Sequence, residues 1–268
     1  MILKAAEQSG VPVRIAHSHS SAQTKDMKYP IRLYYKRQIP RYATQLFACS
    51  KVAGHWMFDG HRYQILPNAI DLDRYSPDRQ LRLAMRRQLG ISENAFVVGH
   101  VGRFHPVKNH AILLQIFAQV KKQQRDAVLL LIGDGPLRPA MEKRAQKLGV
   151  GDSVIFTGVR SDVPQLLQAM DVFAFPSRHE GFPVTLVEAQ AAGLPCVISD
   201  GVPPECAVAH GVVRLARKAG VQRWAEQICA IEKPQQDPAQ ILTQAGYAIE
   251  SNSLWLQKTY LELWERNA

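Results

Sequence analysis

Residues 171–199 decide the predicted fold, and their sequence is DVFAFPSRHEGFPVTLVEAQAAGLPCVIS. Two short apolar runs, 171–176 and 195–199, have the length and composition of buried strands, and segment 184–192 between them is typical of a helix. A strand, a crossover helix and a second strand form a βαβ unit, in which the strands are parallel. The stretch therefore predicts a parallel sheet covered by helices.

The same alternation extends from about residue 94 to residue 215. The other predicted elements of this region are strands at 95–101, 127–133, 153–158 and 211–215 and helices at 109–124, 136–148 and 162–169. Strands this apolar are buried on both faces, and the helices between them supply the cover. The predicted fold class is therefore α/β, with helices on both faces of one parallel sheet.

The regions on either side follow other patterns. The N-terminal part predicts strands within 11–20 and 45–50, a helix between them, another helix at 51–59 and a linker at 65–77. The C-terminal part predicts helices at 219–232, 238–249 and 252–266. The leucine and aromatic positions of the last helix have helical spacing, for which core packing is the usual explanation. The predicted domains are an N-terminal remnant at 1–68, a complete domain at 69–250, and a helix at 251–268 that packs back towards the N-terminal part.

Composition limits the class of protein. With 46% hydrophobic and 21% charged residues, the chain can bury a core, yet its central apolar run, 127–132, is too short to span a bilayer. The N-terminus lacks a signal peptide, and the four cysteines lack metal-ligand spacing and are predicted to be free thiols. The expected location is cytoplasmic, including a peripheral position at the inner face of the membrane.

Positive charge is concentrated near the N-terminus. Residues 1–90 hold fifteen Lys or Arg against six Asp or Glu, which accounts for +9 of the net charge of +10. The densest segment, 25–41, contains six basic residues, one acidic residue and three tyrosines. It is interpreted either as the solvated face of a helix or as a patch for anionic lipid or a phosphate-bearing acceptor, and both interpretations stay open. No nucleic-acid recognition motif accompanies it, so no nucleic-acid partner is expected.

Three predicted loops follow strands at one edge of the sheet, where open parallel sheets bind ligands. In the first, 99–109, Gly102 permits a close backbone turn, while Arg103 and Lys108 offer cations to phosphate oxygens. The second, 132–138, matches neither a Walker loop nor a dinucleotide motif and is predicted to be a structural wall.

The third loop leads into the helix of the opening stretch. Pro183 is predicted at the first helical position, which leaves the amides of Val184, Thr185 and Leu186 free to meet an anion. Glu180 and Glu188 can accept hydrogen bonds from sugar hydroxyls, although acids near a helix start also simply offset its dipole. The combination of the three loops favours the binding interpretation.

Four segments together resemble a known family: LPNAIDLDRY (66–75), VGRFHPVKN (101–109), IGDGP (132–136) and residues 171–197. They are similar to the retaining nucleotide-sugar glycosyltransferases of family 4, nearest to bacterial members that build exopolysaccharide or lipopolysaccharide. Glu180 and Glu188, with seven residues between them, fit the family's E-x7-E motif. The resemblance extends from about residue 10 to the last helix. It implies a GT-B fold, in which two Rossmann-like domains flank the active site, with one of them complete here and the N-terminal one partial.

The resemblance also implies roles for individual residues. Arg103 and Lys108 are expected to hold the donor diphosphate as it leaves, Glu180 to hold the donor sugar, and Glu188 to hold the ribose. His19 is expected to approach the sugar from the N-terminal domain, although for His17 and His19 local hydrogen bonding or one-sided metal binding are alternatives. The remaining expected substrate-binding residues are Gly102, Gly158, Val159, Arg160, Gly181, Phe182, Pro183, Val184, Thr185 and Leu186, with Gly158–Arg160 near the base.

The expected reaction is transfer of a sugar, with retention, from a nucleotide-diphosphate donor to a lipid-linked or saccharide acceptor. A UDP-sugar is preferred to a GDP-sugar as the donor. Neither a cofactor nor a metal is expected, because cations and a helix dipole neutralise the charge of the diphosphate. Relatives have a full N-terminal domain, whereas this chain is expected to lack roughly a hundred residues of it. A nucleotide-sugar-binding module without transfer activity is therefore the alternative. A glycosidase is rejected, because the neighbouring cations would lower the pKa that its general acid needs to have raised.

Overall fold

The computed structural model describes residues 2–20 and 27–266, and the chain divides into two compact units. One unit consists of Met1–Ile70 and Gly246–Ala268, and the other consists of Asp71–Ala245. The units are therefore divided after residues 70 and 245, whereas the sequence predicted domain limits at 68 and 250.

The smaller unit begins with a three-stranded parallel sheet of order β1-β2-β3. Its first elements are α1 (Ile2–Gln8), β1 (Ile15–Ser18), α2 (Tyr29–Tyr42), β2 (Gln45–Ala48), α3 (Lys51–Phe58) and β3 (Gln64–Ile65). The predicted strands and helices of this part are confirmed, while α1 and β3 were not predicted. No residue of α2 is buried, and the two interpretations of the basic segment stay open. Residues 25 and 26 of that segment lie outside the described residues.

The larger unit contains a six-stranded, all-parallel sheet. Its strands are β4 (Val97–Val101), β5 (Val128–Ile132), β6 (Val154–Phe156), β7 (Val172–Phe175), β8 (Cys196–Ser199) and β9 (Val212–Leu215). They are arranged in the order β6-β5-β4-β7-β8-β9, so the first strand of the unit lies in the middle and the order reverses between β4 and β7. This is the order of a Rossmann-type doubly wound sheet, and the predicted α/β fold is confirmed.

Helices cover both faces of this sheet. They are α4 (Arg79–Gln88), α5 (His110–Gln123), α6 (Arg138–Lys147), α7 (Val163–Gln168), α8 (Val184–Ala191), α9 (Val221–Ala230) and α10 (Pro238–Gln244). In one layer α5 contacts α6 and α9, and in the other α4 contacts α7 while α8 contacts α10. Five of these helices agree with their predicted ranges within two residues, whereas α4 was not predicted.

A buried ionic network attaches α4 to the sheet. Asp171, just before β7, binds Arg82 and Arg86 with N–O distances of 2.6 and 2.7 Å. The side chain of Arg86 is only 1% exposed, and it also donates to backbone carbonyl oxygens, including those of Ala95 and Ala169. Since a buried guanidinium is costly unless its donors are satisfied, this network makes α4 a fixed part of the unit.

The last helix corrects two predictions. Helix 238–249 was predicted, but α10 ends at Gln244, because Gly246 adopts a φ of +84° and breaks the helix. The chain resumes as α11 (Ile249–Glu265). Core packing of its apolar stripe was also expected, yet Leu263 is the only residue of α11 that is buried. Its Trp255 packs edge-on against Phe47 of β2, while most of the stripe remains exposed.

None of the helices in the described ranges has the length and apolarity needed to cross a bilayer.

Candidate active site

The candidate site lies at the carboxyl ends of β4 and β7, where the strand order reverses. The loops that follow these strands are hydrogen-bonded to each other. The amide of Arg178 donates to the carbonyl oxygen of Val107 at 2.8 Å, and Nδ2 of Asn109 donates to the carbonyl oxygen of Pro176 at 3.2 Å. Asn109 adopts the left-handed conformation (φ 60°) that places its side chain at the start of α5. The fold therefore places the first and third predicted loops side by side.

Lys108 and Glu180 form the centre of this arrangement. The Lys108 Nζ atom lies 2.8 Å from Glu180 Oε1, and the two side chains are only 20% and 11% exposed. Nζ also lies 4.7 Å from the ring centroid of Phe175, a cation–π distance. Two residues that sequence analysis assigned to the diphosphate and to the sugar are thus in direct contact.

Arg103 provides the exposed cation of the same loop. Among residues 2–20 and 27–266 its guanidinium has no hydrogen-bond or ion-pair partner, so it is available to a ligand. Gly102, beside it, is close to the Lys108 stem, because a Cβ at this position would lie 3.3 Å from Lys108 Cδ and 3.0 Å from His100 Nε2. The absence of a side chain at Gly102 therefore lets Lys108 lie close to the backbone.

The loop after β5 forms a wall beside these residues. Gly133 has a φ of +131°, and a Cβ there would lie 2.4 Å from the carbonyl oxygen of Gly102. The amide of Phe104 donates to the carbonyl oxygen of Asp134 at 3.0 Å. These close backbone contacts agree with the structural role predicted for the second loop.

The start of α8 differs in part from its prediction. Pro183 is the residue before the helix and not its first residue, and no side chain caps the helix start. The amide of Leu186 was predicted to be free, but it donates to the carbonyl oxygen of Pro183 at 3.0 Å, so that prediction is wrong. The tight turn at Pro183 uses the amide that an open helix start would leave unpaired. Val184 and Thr185 remain the anion-facing candidates, and the buried Thr185 Oγ1 has no partner in the described chain.

Glu188 has a partner that sequence analysis did not predict. The hydroxyl of Tyr75 donates to Glu188 Oε1 at 2.9 Å. Burial raises the pKa of the Glu188 carboxyl above its usual range, so the lowered pKa expected from the sequence is wrong for this residue. The hydrogen bond from Tyr75 and the charge of Arg74 act in the opposite direction but are the smaller effects. The arrangement holds a half-buried carboxylate in one orientation, with an oxygen still able to accept from hydroxyls.

The amide side chain of Gln168 keeps Tyr75 in place. Its Nε2 donates to the carbonyl oxygen of Tyr75 at 3.1 Å, and its Oε1 accepts from the amide of Asp78 at 3.1 Å. Tyr75 belongs to the motif on which the family resemblance depends, so the motif was the signal that could have found it.

The loop after β6 carries the residues assigned to the base. Gly158 (φ +75°) accepts a hydrogen bond from the amide of Gly133 at 2.9 Å, which joins this loop to the wall. Val159 is 81% exposed. Arg160 is bound to Asp162 by two contacts of 2.6 and 2.8 Å, so Val159 offers the free apolar surface and the Arg160 charge is already paired.

His17 and His19 belong to the smaller unit. Their rings lie 4.1 Å apart between centroids. The pKa of His17 is lowered to about 4, first by desolvation and then by the neighbouring His19, so His17 is neutral at pH 7. The approach of His19 to a donor sugar stays a prediction.

Within the described ranges, no group of three or more His, Cys, Asp or Glu side chains is arranged to hold a metal ion. That the reaction proceeds without a metal stays a prediction.

Comparison with known proteins decides the family. The family model of glycosyl transferases group 1 matches residues 82–248, which is well over half of the chain and includes nearly all of the larger unit. The chain belongs to the group 1 glycosyltransferases. The predicted family and enzyme class are confirmed.

This group 1 glycosyltransferase is similar to several known proteins. It is 38% identical over 264 residues to the Bacillus subtilis (strain 168) protein EpsF, an alignment that covers 94% of this chain and 69% of that protein. It is 29% identical over 210 residues to an Escherichia coli enzyme named UDP-Gal:alpha-D-GlcNAc-diphosphoundecaprenol alpha-1,3-galactosyltransferase, covering 73% of this chain and 54% of the enzyme. The chain thus spans about two thirds of the first relative and about half of the second.

The fold also matches solved structures. The crystal structure of Anabaena HepE with UDP and glucose superimposes with a TM-score of 0.80 at 24% identity, covering 96% of this chain and 73% of HepE. HepE has also been crystallised with UDP-glucose, and that structure gives a TM-score of 0.79. At this identity the match shows the shared fold.

Proposed function

We propose that this group 1 glycosyltransferase transfers a sugar from a UDP-sugar to a lipid-linked or saccharide acceptor, with retention of the anomeric configuration. The observation that carries the proposal is the contact between Lys108 and Glu180 at the point where the strand order reverses, with Arg103 unpaired beside it. That edge of a doubly wound sheet is where such folds bind nucleotides. A cation and a carboxylate in contact there suit a ligand that combines phosphates with hydroxyls.

Charge development during transfer explains the two cations. When the bond between the sugar and the diphosphate breaks, negative charge accumulates on the departing phosphate oxygens. Lys108, which is largely buried and held by Glu180, would stabilise that charge with little reorganisation during the reaction. The exposed Arg103 would add a second cation. Glu180 would then accept hydrogen bonds from the sugar hydroxyls and orient the anomeric carbon.

Glu188 would serve the nucleotide end of the donor. Its carboxylate is oriented by Tyr75 and lies on the fifth residue of α8, so it can accept from the ribose hydroxyls. The exposed Val159, on the other side of the wall loop, would lie against the base.

The names of the similar proteins support the choice of substrates. HepE has been crystallised with UDP-glucose, and the E. coli relative is named for UDP-Gal and a diphosphoundecaprenol-linked acceptor. Applied to this chain, they favour a UDP-sugar donor and a lipid-linked acceptor. Association with a membrane surface through the basic residues of α2 is part of the same proposal.

Calorimetric titration with UDP and GDP tests the donor site. We expect UDP to bind more tightly than GDP, and Arg103→Glu to weaken UDP binding by at least about tenfold, because it reverses a charge beside the diphosphate. Arg125→Glu is the matched control, since Arg125 is exposed in the turn before β5. Equal UDP binding by wild type and Arg103→Glu would refute the proposed donor site.

Transfer requires a second experiment. Radiolabelled UDP-sugars incubated with the chain and membranes should label the lipid fraction, and the anomeric coupling constant of the product measured by NMR should show retention. Donor binding without any labelling would favour the alternative, a nucleotide-sugar-binding module that does not transfer.

A further inference from the structure

The larger unit contains a cavity that the donor site does not use. It has a volume of about 380 Å³ and is lined by Asn109, Arg178, Asp200, Ala216, Arg217 and Lys218. These residues follow β4, β7, β8 and β9, so the cavity lies along the same carboxyl edge of the sheet as Lys108 and Glu180. Its volume falls within the range of small-molecule sites.

Half of the residues that line this cavity are cationic. Arg217 is fixed, because its Nε lies 2.7 Å from Asp200 Oδ1 and its Nη1 donates to the carbonyl oxygen of Arg178 at 2.7 Å. The side chains of Arg178 and Lys218 have no partner in the part of the chain that the structure describes. Three cations and one carboxylate therefore line the cavity, and of the cations only Arg217 is paired within the described ranges.

The cavity shares its framework with the donor site. Asn109 directly follows Lys108, and Arg178 precedes Glu180 by two residues. The amide of Glu180 donates to the carbonyl oxygen of Gly201, the residue after Asp200, at 3.0 Å. The cavity therefore adjoins the loop that carries Glu180, the residue assigned to the donor sugar, whereas Arg103 does not line it.

We propose that this cavity is a second anion site, which binds a phosphate group of the acceptor. The inference rests on the proposed function, because the phosphates of the donor are already assigned to Arg103 and Lys108. Like charges that face one concave volume repel each other, and a bound anion relieves that repulsion. The planar guanidinium groups suit phosphate oxygens, and Asp200 keeps one of them in a fixed orientation.

Binding measurements with the donor site filled test the proposal. With UDP at saturation, wild type is titrated with inorganic pyrophosphate and, separately, with farnesyl diphosphate. The double variant Arg178→Gln/Lys218→Gln should bind both probes at least about tenfold more weakly, because it removes both unpaired cations. Its affinity for UDP should stay within about twofold of wild type, since neither residue contacts the Lys108–Glu180 pair.

A matched control removes the same charges elsewhere. Lys122→Gln/Arg125→Gln also replaces one Lys and one Arg, both exposed at the end of α5 and just beyond it, and it should bind the probes like wild type. Weaker binding by both double variants would show that the change in net charge alone weakens binding, and it would overturn the proposal.

The remaining outcomes separate the two proposals and the two sources of phosphate. Equal binding of pyrophosphate by wild type and the cavity variant overturns the anion site, even if UDP binds, whereas absence of UDP binding contradicts the proposed function. Tighter binding of farnesyl diphosphate than of pyrophosphate supports a lipid-linked acceptor, and equal binding supports a soluble phosphate. If the cavity variant binds UDP-glucuronate more weakly than wild type does but binds UDP-glucose equally well, the cavity holds the donor's own carboxylate. That result would overturn the acceptor assignment.

Discussion

Removing a single hydroxyl group in Tyr75→Phe tests whether the Tyr75–Glu188 contact shapes the site. The substitution deletes the donor that lies 2.9 Å from Glu188 Oε1, in a residue that is only 7% exposed. Hydrogen bonds to charged groups contribute about 1.5–3 kcal/mol. We therefore expect the free energy of unfolding to fall by about that amount at pH 7 and Tm to fall by on the order of 3–12 °C.

The pH dependence of this loss follows from the direction of the pKa shift. Burial raises the pKa of Glu188 above its ordinary value of 4.5, and the Tyr75 hydrogen bond opposes that rise. In the folded chain Glu188 therefore keeps its proton over a pH window that begins near its ordinary pKa of 4.5 and ends at the raised pKa. Across this window the free energy of unfolding decreases as pH rises. Without Tyr75 the pKa rises further and the window extends upward. The difference between variant and wild type should thus be small below about pH 4, where Glu188 is protonated, and should grow as pH rises through that window.

Urea unfolding followed by circular dichroism, together with calorimetric titration of UDP, measures both effects. We expect UDP binding by Tyr75→Phe to weaken by about tenfold at pH 7, because the carboxylate assigned to the ribose loses its fixed orientation. Tyr260→Phe, which alters an exposed tyrosine, is the control. The reasoning is refuted if Glu188→Gln lowers stability equally in wild type and in Tyr75→Phe, since a real contact requires the two losses to be non-additive.

Three further substitutions test other parts of the larger unit. Lys108→Gln leaves Glu180 without its cation, so urea unfolding should show a loss of about 1–3 kcal/mol, and calorimetry should show UDP binding weakened by at least about tenfold. Gly133→Ala brings a Cβ within 2.4 Å of a carbonyl oxygen at a φ of +131°, and Tm measured by scanning calorimetry should fall by on the order of 4–10 °C. Asp171→Asn leaves the buried Arg86 without its carboxylate, so urea unfolding should show a loss of about 3–5 kcal/mol.

Each of these substitutions has a control. Lys108→Arg keeps the charge and should retain most of the stability, so a loss equal to that of Lys108→Gln would contradict an ionic role. Gly90 also has a positive φ, of +67°, but no atom lies within 4 Å of an added Cβ, so Gly90→Ala should lower Tm less than Gly133→Ala. Asp126→Asn alters an exposed carboxylate, and a loss as large as that of Asp171→Asn would exclude the buried network as the cause.

Much of the larger unit could be predicted because its signals are local. Strands such as Val97–Val101 are continuous apolar runs, and the turns between strands and helices contain glycine or proline. The hydrophobic pattern and these turn residues were therefore enough to predict the strands and helices. Helix α4 was missed because its sequence contains four arginines, one of which, Arg86, occupies a buried position where an apolar residue is the usual occupant. Its role depends on Asp171, which is far away in the sequence.

The site was predicted as a set of residues, but not as a set of contacts. Glu180 and Lys108 were both identified, yet nothing in the sequence showed that they form an ion pair. Tyr75 lies 113 residues from Glu188 in the chain, so their hydrogen bond could not be inferred from spacing. The free amide expected at Leu186 was wrong, because the turn at Pro183 is tighter than an ordinary helix start.

The ion pair between Lys108 and Glu180 has a consequence for selectivity and for product release. An inorganic anion, or UDP alone, that draws Lys108 away would leave Glu180 as a largely buried carboxylate without its cation, which is unfavourable. A complete donor avoids this penalty, since its phosphates meet Lys108 while its sugar hydroxyls compensate Glu180. Under the proposed assignments, the free enzyme therefore discriminates against its own spent nucleotide. Under the same assignments, the pair would re-form once the sugar has moved to the acceptor and would help to expel UDP.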